Sequence, residues 1–68
     1  MRVILNGSER DLPEGATVAH AVALLGLSPD PRGVAVALEG EVVPRRAWAE
    51  TDVAEGQRVE VLTAVQGG

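Results

Sequence analysis

The sequence contains no cysteine and no lysine, and Trp48 is its only aromatic residue. The absence of cysteine excludes disulfides and thiolate metal sites. Because all six basic residues are arginine, the chain has no side-chain amine on which it could build isopeptide chains. The net charge of −4 is opposite in sign to the basic surface that phosphate-backbone binding requires, so we predict no nucleic-acid partner.

Long apolar runs and targeting signals are also missing. The sequence has neither a signal-peptide pattern nor an apolar stretch long enough to cross a membrane. We therefore predict a cytoplasmic protein without a membrane partner. The scattered carboxylates lack metal-ligand spacing, so we predict no metal site.

The length of 68 residues limits the chain to one domain, which we assign to residues 1–68. A core of this size leaves no room for a catalytic cleft, so we predict that the chain is not an enzyme. Hydrophobic residues make up 46% of the sequence, and almost all of them are Val, Ala or Leu. Such a composition suits a small sheet covered by a helix.

Residue patterns predict the order strand, strand, helix, strand, strand, short helical turn, strand. The predicted bounds are 2–5, 9–12, 18–25, 34–38, 41–43, 45–50 and 58–65. Asn6-Gly7 is a strong hairpin signal, because both residues tolerate positive φ. Thr17 suits the helix N-cap, and Gly26 suits a left-handed C-terminal position from which Leu27 would pack back on Val22.

Parallel neighbours in one sheet need a crossover connection, and the helix supplies the first one. The compact solution places the first and last strands side by side in the centre, with the helix across one face. We therefore predict an α+β protein with the β-grasp fold of ubiquitin, in which a mixed sheet of about five strands packs against one main helix.

The sequence closes with Val65-Gln66-Gly67-Gly68. Without Cβ atoms, Gly67 and Gly68 can extend into a narrow site at little steric cost. We predict a flexible tail over about residues 65–68 whose terminal carboxylate is the functional group. A frayed, inert terminus is the alternative.

These features together resemble the ThiS family of sulfur carriers in thiamine biosynthesis, over nearly the whole length. The resemblance rests on six segments in order: Leu5-Asn6-Gly7, Gly15-Ala16-Thr17-Val18, Val34-Ala35-Val36-Ala37, Val42-Val43-Pro44-Arg45, Trp48 and the closing Val65-Gln66-Gly67-Gly68.

The resemblance implies a mechanism. An E1-like adenylyltransferase would activate the carboxylate with ATP, and a persulfide sulfur donor would convert it to a thiocarboxylate. Thiazole synthase would then take the sulfur. Gly68 would carry the sulfur, Gly67 would serve tail recognition, and no cofactor would be bound by the chain itself, since ATP is used by the partner.

Two turn residues depart from the family pattern. Glu39 precedes Gly40 where asparagine is usual, and glutamate accepts positive φ less readily. We therefore expect a turn of a different type there. Gln57 follows Gly56 where an acidic residue is common.

The single histidine, the single tryptophan and an adjacent pair of arginines are interpreted without a catalytic role. His20 lies opposite the apolar helix face, so we interpret it as a solvated residue without a catalytic role. Trp48 is interpreted as a core or lid residue, with partner contact as the alternative. Arg45 and Arg46 are interpreted as a solvated pair that could dock on an acidic surface.

Strand periodicity also predicts a docking surface. If Val59 and Val61 face the helix, then Leu62 and Ala64 face outward. With Ile4 placed outward on the neighbouring strand, we predict a contiguous apolar patch of Ile4, Leu62 and Ala64 that docks a partner.

Three alternatives to the thiamine carrier remain open. The molybdopterin synthase small subunit shares the fold and the diglycine, and a carrier for tRNA thiolation or a ubiquitin-like modifier is another candidate. A plain interaction domain with an inert terminus is the most distant one.

Overall fold

The computed structural model describes residues 1–26 and 33–63, which form five strands, one α-helix and one 3-10 helix. The elements in chain order are β1 (Arg2–Leu5), β2 (Ser8–Asp11), α1 (Val18–Leu24), β3 (Val34–Leu38), β4 (Glu41–Val43), the 3-10 helix (Arg45–Glu50) and β5 (Arg58–Thr63). None of the helices among these described residues is both long enough and apolar enough to span a membrane.

The five strands form one mixed sheet in the order β2-β1-β5-β3-β4. β1 and β5 run parallel in the middle of the sheet, and the other neighbouring pairs are antiparallel. The predicted β-grasp arrangement, with the first and last strands adjacent, is therefore confirmed. Because β5 is flanked on both sides, it is positioned by two neighbours rather than one.

The core lies between one face of the sheet and α1. The predicted inward residues of the two central strands are confirmed: Val3 and Val59 are fully buried, and Val61 is 6% exposed. The helix buries the expected apolar face toward the sheet. The core contains thirteen residues of the described segments: Val3, Leu5, Leu12, Ala16, Val18, Ala21, Val22, Val36, Val43, Trp48, Val53, Val59 and Val61.

Trp48 belongs to this core and is contributed by the 3-10 helix. Its side chain is 6% exposed, and its indole Nε1 donates a hydrogen bond of 2.9 Å to the Val43 carbonyl. Bonding the one polar atom of the ring lets the indole be buried without an unpaired donor. The core interpretation of Trp48 is thus confirmed.

The segment after the 3-10 helix is tied to the start of α1. The Val18 amide donates to the Thr51 carbonyl at 2.9 Å, and the Val53 amide donates to the Ala16 carbonyl at 3.0 Å. These bonds bring Val53 and Ala16 into the core, although neither belongs to a named element. The sequence patterns had assigned no structure to this segment.

Element boundaries differ from the predictions by a residue or two. β2 covers 8–11 instead of 9–12, and Leu12 beyond it is buried and exchanges two hydrogen bonds with Met1. The helix ends at Leu24 with Leu25 as its C-cap, and Gly26 has the predicted positive φ of 78°. The predicted packing of Leu27 on Val22 and the end of the last strand at residues 64–65 lie outside the described residues.

Candidate functional site

Strand β5 leads toward the predicted functional terminus. Its last described residue is Thr63, so Ala64, Gly67 and Gly68 lie outside the part of the chain that the structure describes. The described part of the site is therefore the strand that carries the tail, together with the residues that hold this strand in place.

The two neighbours of β5 hold it unequally. On one side, β3 pairs along five positions, from Leu38 opposite Val59 to Val34 opposite Thr63. On the other side, β1 pairs at only two positions, Ile4 with Arg58 and Leu5 with Val59. Because β1 then turns away into the hairpin, the later residues of β5 have no strand of the described segments beside them on this side.

Asn6 extends the support on the weaker side by one step. Its backbone amide donates to the Val59 carbonyl at 2.9 Å. Its side-chain Oδ1 accepts from the Val61 amide at 2.8 Å, and its Nδ2 donates to the Val61 carbonyl at 3.3 Å. The carboxamide thus binds both backbone groups of Val61. In a continued parallel ladder, two residues of the neighbouring strand would supply these partners.

Glu39 makes a similar contact on the other side, at the beginning of β5. Its carboxylate accepts from the Arg58 amide at 2.6 Å, and its own amide donates to the Arg58 carbonyl at 2.9 Å. Glu39 and Gly40 have φ angles of 51° and 84°, and the corresponding pair Asn6 and Gly7 has 51° and 83°. The expected difference in turn geometry is therefore not seen in these angles. The glutamate side chain contributes a hydrogen bond that offsets part of the cost of positive φ.

Gln57, the second departure from the family pattern, lies within a hydrogen-bonded turn. Its Oε1 accepts from the Ala54 amide at 2.7 Å, and its amide donates to the Ala54 carbonyl at 3.1 Å. Glutamine at this position, where the family commonly has an acidic residue, therefore still provides a side-chain oxygen that accepts a hydrogen bond in the turn.

The register separates the residues of the predicted docking patch. Ile4 lies opposite Arg58 and is only partly exposed, whereas Leu62 is four positions further along β5 and is 68% exposed. The outward orientation of Leu62 is as predicted, but the contiguity of Ile4 with Leu62 is not found. Ala64 lies outside the described residues.

A different apolar surface surrounds Leu62. Leu62 lies opposite Ala35 on β3, Ala37 follows on the same face, and Val42 on β4 lies opposite Ala37. Val42 is 78% exposed. We call the set of Ala35, Ala37, Val42 and Leu62 the apolar stripe. It crosses three strands on the face of the sheet opposite the core.

The other half of this outward face is charged. The Arg2 guanidinium contacts the Glu9 and Asp11 carboxylates of the neighbouring strand, each at 3.3 Å. The hydrogen bond that the Arg2 guanidinium donates to the Asp11 carboxylate is the main cause that raises the pKa of Arg2 above its usual value. These exposed pairs contribute little to stability. They do make the β1–β2 half of the face polar, which confines exposed apolar surface to the stripe.

His20 has a structural role that the sequence interpretation missed. It is exposed, as predicted, but its Nδ1 accepts a hydrogen bond from the Thr17 amide at 3.0 Å. This is the return half of a capping box, in which the third helical residue bonds the N-cap backbone. The spacing of Thr17 and His20 could have revealed it, although Glu or Gln is the usual residue at that position.

No ligand set for a metal is found in the described segments. Residues 1–26 and 33–63 contain no group of three or more histidine and carboxylate side chains that could hold an ion.

Arg45 and Arg46 are both exposed on the 3-10 helix.

Comparisons with known proteins point to one family. The model of the ThiS family matches residues 3–68. A protein named thiazole synthase from Paramagnetospirillum magneticum is 38% identical over all 68 residues, and the chain spans 20% of that relative's length.

Solved structures agree with this match. The crystal structure of thiamine biosynthesis protein ThiS from Geobacter metallireducens is 31% identical, with a TM-score of 0.79 and full coverage of both chains. A solution NMR structure of a thiamine biosynthesis protein from Geobacter metallireducens is 33% identical, with a TM-score of 0.80, and covers all of this chain and 88% of that one. SAMP1 from Haloferax volcanii, at 23% identity and a TM-score of 0.64 over 100% and 98% of the two chains, supports the fold alone.

Proposed function

The chain belongs to the ThiS family of ubiquitin-like β-grasp sulfur carriers, and we propose that it carries sulfur on the carboxylate of Gly68 for thiazole formation in thiamine biosynthesis. The observation that carries this proposal is the family match, which runs through Gly67 and Gly68. The fold supports it, because β5 at the centre of the sheet leads toward those residues.

The chemistry begins with activation of the carboxylate, which is a poor electrophile by itself. In the proposed first step, a Gly68 carboxylate oxygen attacks the α-phosphorus of ATP in an E1-like adenylyltransferase, and pyrophosphate leaves. A donor persulfide then attacks the acyl carbon and displaces AMP. A thiol breaks the resulting sulfur–sulfur bond, which leaves the thiocarboxylate. Because the chain has no cysteine, these thiols belong to its partners.

The last proposed step delivers the sulfur to thiazole synthase. The relative that bears this name is similar to the chain over all 68 residues, which supports thiazole synthase as a partner. The thiamine branch is also favoured over molybdopterin synthesis by the two Geobacter metallireducens structures, both of which are named for thiamine biosynthesis.

Mass spectrometry tests the sulfur-carrying step directly. After incubation with ATP, an E1-like enzyme and a persulfide donor, the chain should gain the mass that corresponds to exchange of one oxygen for sulfur. Fragmentation should place the sulfur on Gly68. Deleting Gly68 should prevent the reaction, and Gly67→Val should slow it severely because a branched side chain hinders threading. Full sulfur loading of the chain that lacks Gly68 would refute the proposal.

A variant with one added residue separates chemistry from folding. Extension beyond Gly68 should abolish adenylation and leave the melting temperature nearly unchanged, because no core residue is altered. A large loss of stability in this variant would show that the terminus is structural, contrary to the proposal.

We also propose that the adenylating enzyme docks on the apolar stripe. Exposed apolar residues on neighbouring strands form an attractive surface for a partner, and the stripe includes Leu62, which is close to the tail. Leu62→Thr and Val42→Thr should each weaken binding to the enzyme in a titration. Ile4→Thr is the matched control on the charged side of the face and should bind normally. If Ile4→Thr weakened binding and Val42→Thr did not, the docking surface would lie on β1 instead.

A further inference from the structure

We propose that Asn6 is a positioning residue for the carboxylate of Gly68, an inference that rests on the proposed function. Its side-chain amide holds β5 at Val61, two residues before the end of the described strand. Asn6 thereby fixes the direction in which the chain leaves the sheet toward its terminus.

The sheet leaves this part of β5 weakly supported on one side. Pairing with β1 stops at Leu5 opposite Val59, since the hairpin turns β1 back into β2. The amide and carbonyl of Val61 point to this side, as their hydrogen bonds with Asn6 demonstrate. Among residues 1–26 and 33–63, the Asn6 side chain is the partner that both groups have on this side.

Asparagine is suited to this place for two reasons. Its φ of 51° lies in the left-handed region, which asparagine adopts more easily than most residues. Its carboxamide also offers one acceptor and one donor, which match the Val61 amide and carbonyl. A single residue therefore closes the hairpin and extends the β1–β5 ladder by one step.

The position of this contact gives it a role in activation. A terminal carboxylate reacts only when it reaches the reactive phosphorus in a suitable orientation, and small misplacements reduce rates strongly. When the end of β5 is fixed, only the residues after it must be ordered upon entry into a partner's active site. When that end is loose, more residues must be ordered, and a smaller fraction of bound chains holds the carboxylate in a reactive orientation.

Glu39 provides a matched control for this idea. Like Asn6, it is a non-glycine residue with a φ of 51° before a glycine, and its side chain accepts a hydrogen bond from a β5 amide. Its contact lies at Arg58, at the start of the strand and far from the tail. Asn6→Gly and Glu39→Gly each keep a hairpin that permits positive φ. The first substitution removes two side-chain hydrogen bonds with β5, and the second removes one.

Amide exchange tests the contact itself, without any partner. In Asn6→Gly, the Val61 amide should exchange about fivefold faster than in the unsubstituted chain, because it loses its acceptor. In Glu39→Gly, the Val61 amide should exchange at its original rate and the Arg58 amide should exchange faster. Unchanged exchange at Val61 in Asn6→Gly would overturn the inference, whether or not the chain carries sulfur.

ATP–pyrophosphate exchange with a purified E1-like adenylating enzyme tests the role in positioning. Asn6→Gly should lower kcat/KM for the carrier by about tenfold, whereas Glu39→Gly should leave it unchanged, although each variant loses side-chain bonding to β5. Asn6→Asp keeps the acceptor for the Val61 amide and should recover part of the activity. Equal kcat/KM values for Asn6→Gly and Glu39→Gly would mean that Asn6 is merely structural. If the unsubstituted chain were never adenylated, the proposed function itself would fail, and the exchange result at Val61 would still stand.

Discussion

Two adjacent residues of β5 allow the fold and the binding surface to be perturbed separately. Val61 is 6% exposed and lies opposite Val36 in the core, and Leu62 is 68% exposed and lies opposite Ala35. Replacing each with aspartate adds the same charge one position apart. Val61→Asp should unfold the protein, whereas Leu62→Asp should weaken partner binding and leave the fold intact.

The expected loss for Val61→Asp follows from its burial. Removing the buried valine side chain costs about 1.5–3 kcal/mol, and burying an unpaired carboxylate costs several kcal/mol more. The buried set in the described segments contains no polar or charged residue that could compensate for the charge. A domain of this size rarely has more than about 3–5 kcal/mol of stability. Val61→Asp should therefore be unfolded at 25 °C.

Leu62→Asp should remain folded and bind its partner less tightly. Because Leu62 is mostly exposed, its replacement should change the free energy of unfolding by no more than about 0.5 kcal/mol. If Leu62 is an anchor of the docked partner, its loss should cost more than about 1 kcal/mol of binding. The dissociation constant for the adenylating enzyme should therefore rise by roughly tenfold.

The assay can use the protein's own fluorescence. Trp48 is the only aromatic residue and is buried, so its emission in a urea titration reports unfolding of the core. Binding of each variant is measured by titration against the adenylating enzyme. Ser8→Asp is the control for added charge, because Ser8 is exposed at the edge strand far from Leu62. If Leu62→Asp unfolded and Val61→Asp remained folded, the register of β5 would be wrong by one residue.

Three further substitutions test individual contacts. His20→Ala should lower stability by about 0.5–1 kcal/mol, because the capping box with Thr17 is lost, and should leave sulfur loading unchanged in the mass-spectrometric assay. Trp48→Phe should cost about 1–3 kcal/mol in a thermal melt followed by circular dichroism, since the buried Val43 carbonyl loses its donor. Gly40→Ala should cost about 1–2 kcal/mol in the same melt, because its φ of 84° strains any residue with a Cβ; no loss would mean that the hairpin adopts another geometry.

Local signals account for the features that the sequence predicted well. The Asn6-Gly7 hairpin, the cap at Thr17 and the left-handed Gly26 each depend on a few adjacent residues, and the structure has all three. Strand periodicity also placed Val61 inward and Leu62 outward correctly. The two-residue alternation of a strand and the residue preferences of a turn depend only on neighbouring residues, so they can be recognised in a single sequence.

The prediction that Ile4 and Leu62 form one contiguous patch was wrong because it depends on two strands that are distant in the sequence. A hairpin turn fixes the register of an antiparallel pair, but no turn connects β1 to β5, which are separated by more than fifty residues. The sequence therefore predicts that the two strands are adjacent without predicting how far one is shifted along the other. The contact of Asn6 with Val61 was missed because it depends on this alignment. The contact of Glu39 with Arg58 was missed because it depends in the same way on the alignment of β3 with β5.

The stripe and the tail are close enough to act on one partner. Leu62 precedes Gly68 by six residues, and a fully extended chain spans at most about 3.3–3.6 Å per residue, which gives a reach of roughly 20 Å. An enzyme that binds the stripe must therefore hold its ATP within about 20 Å of the contact with Leu62. Docking on the stripe would make entry of the tail into the active site effectively intramolecular. The concentration of the tail at that site would rise, although the enzyme need not contact the tail to achieve this. If the adenylating enzyme docks on the stripe as proposed, the exposed Leu62 side chain would contribute to activation through the distance it sets, in addition to the apolar surface it offers.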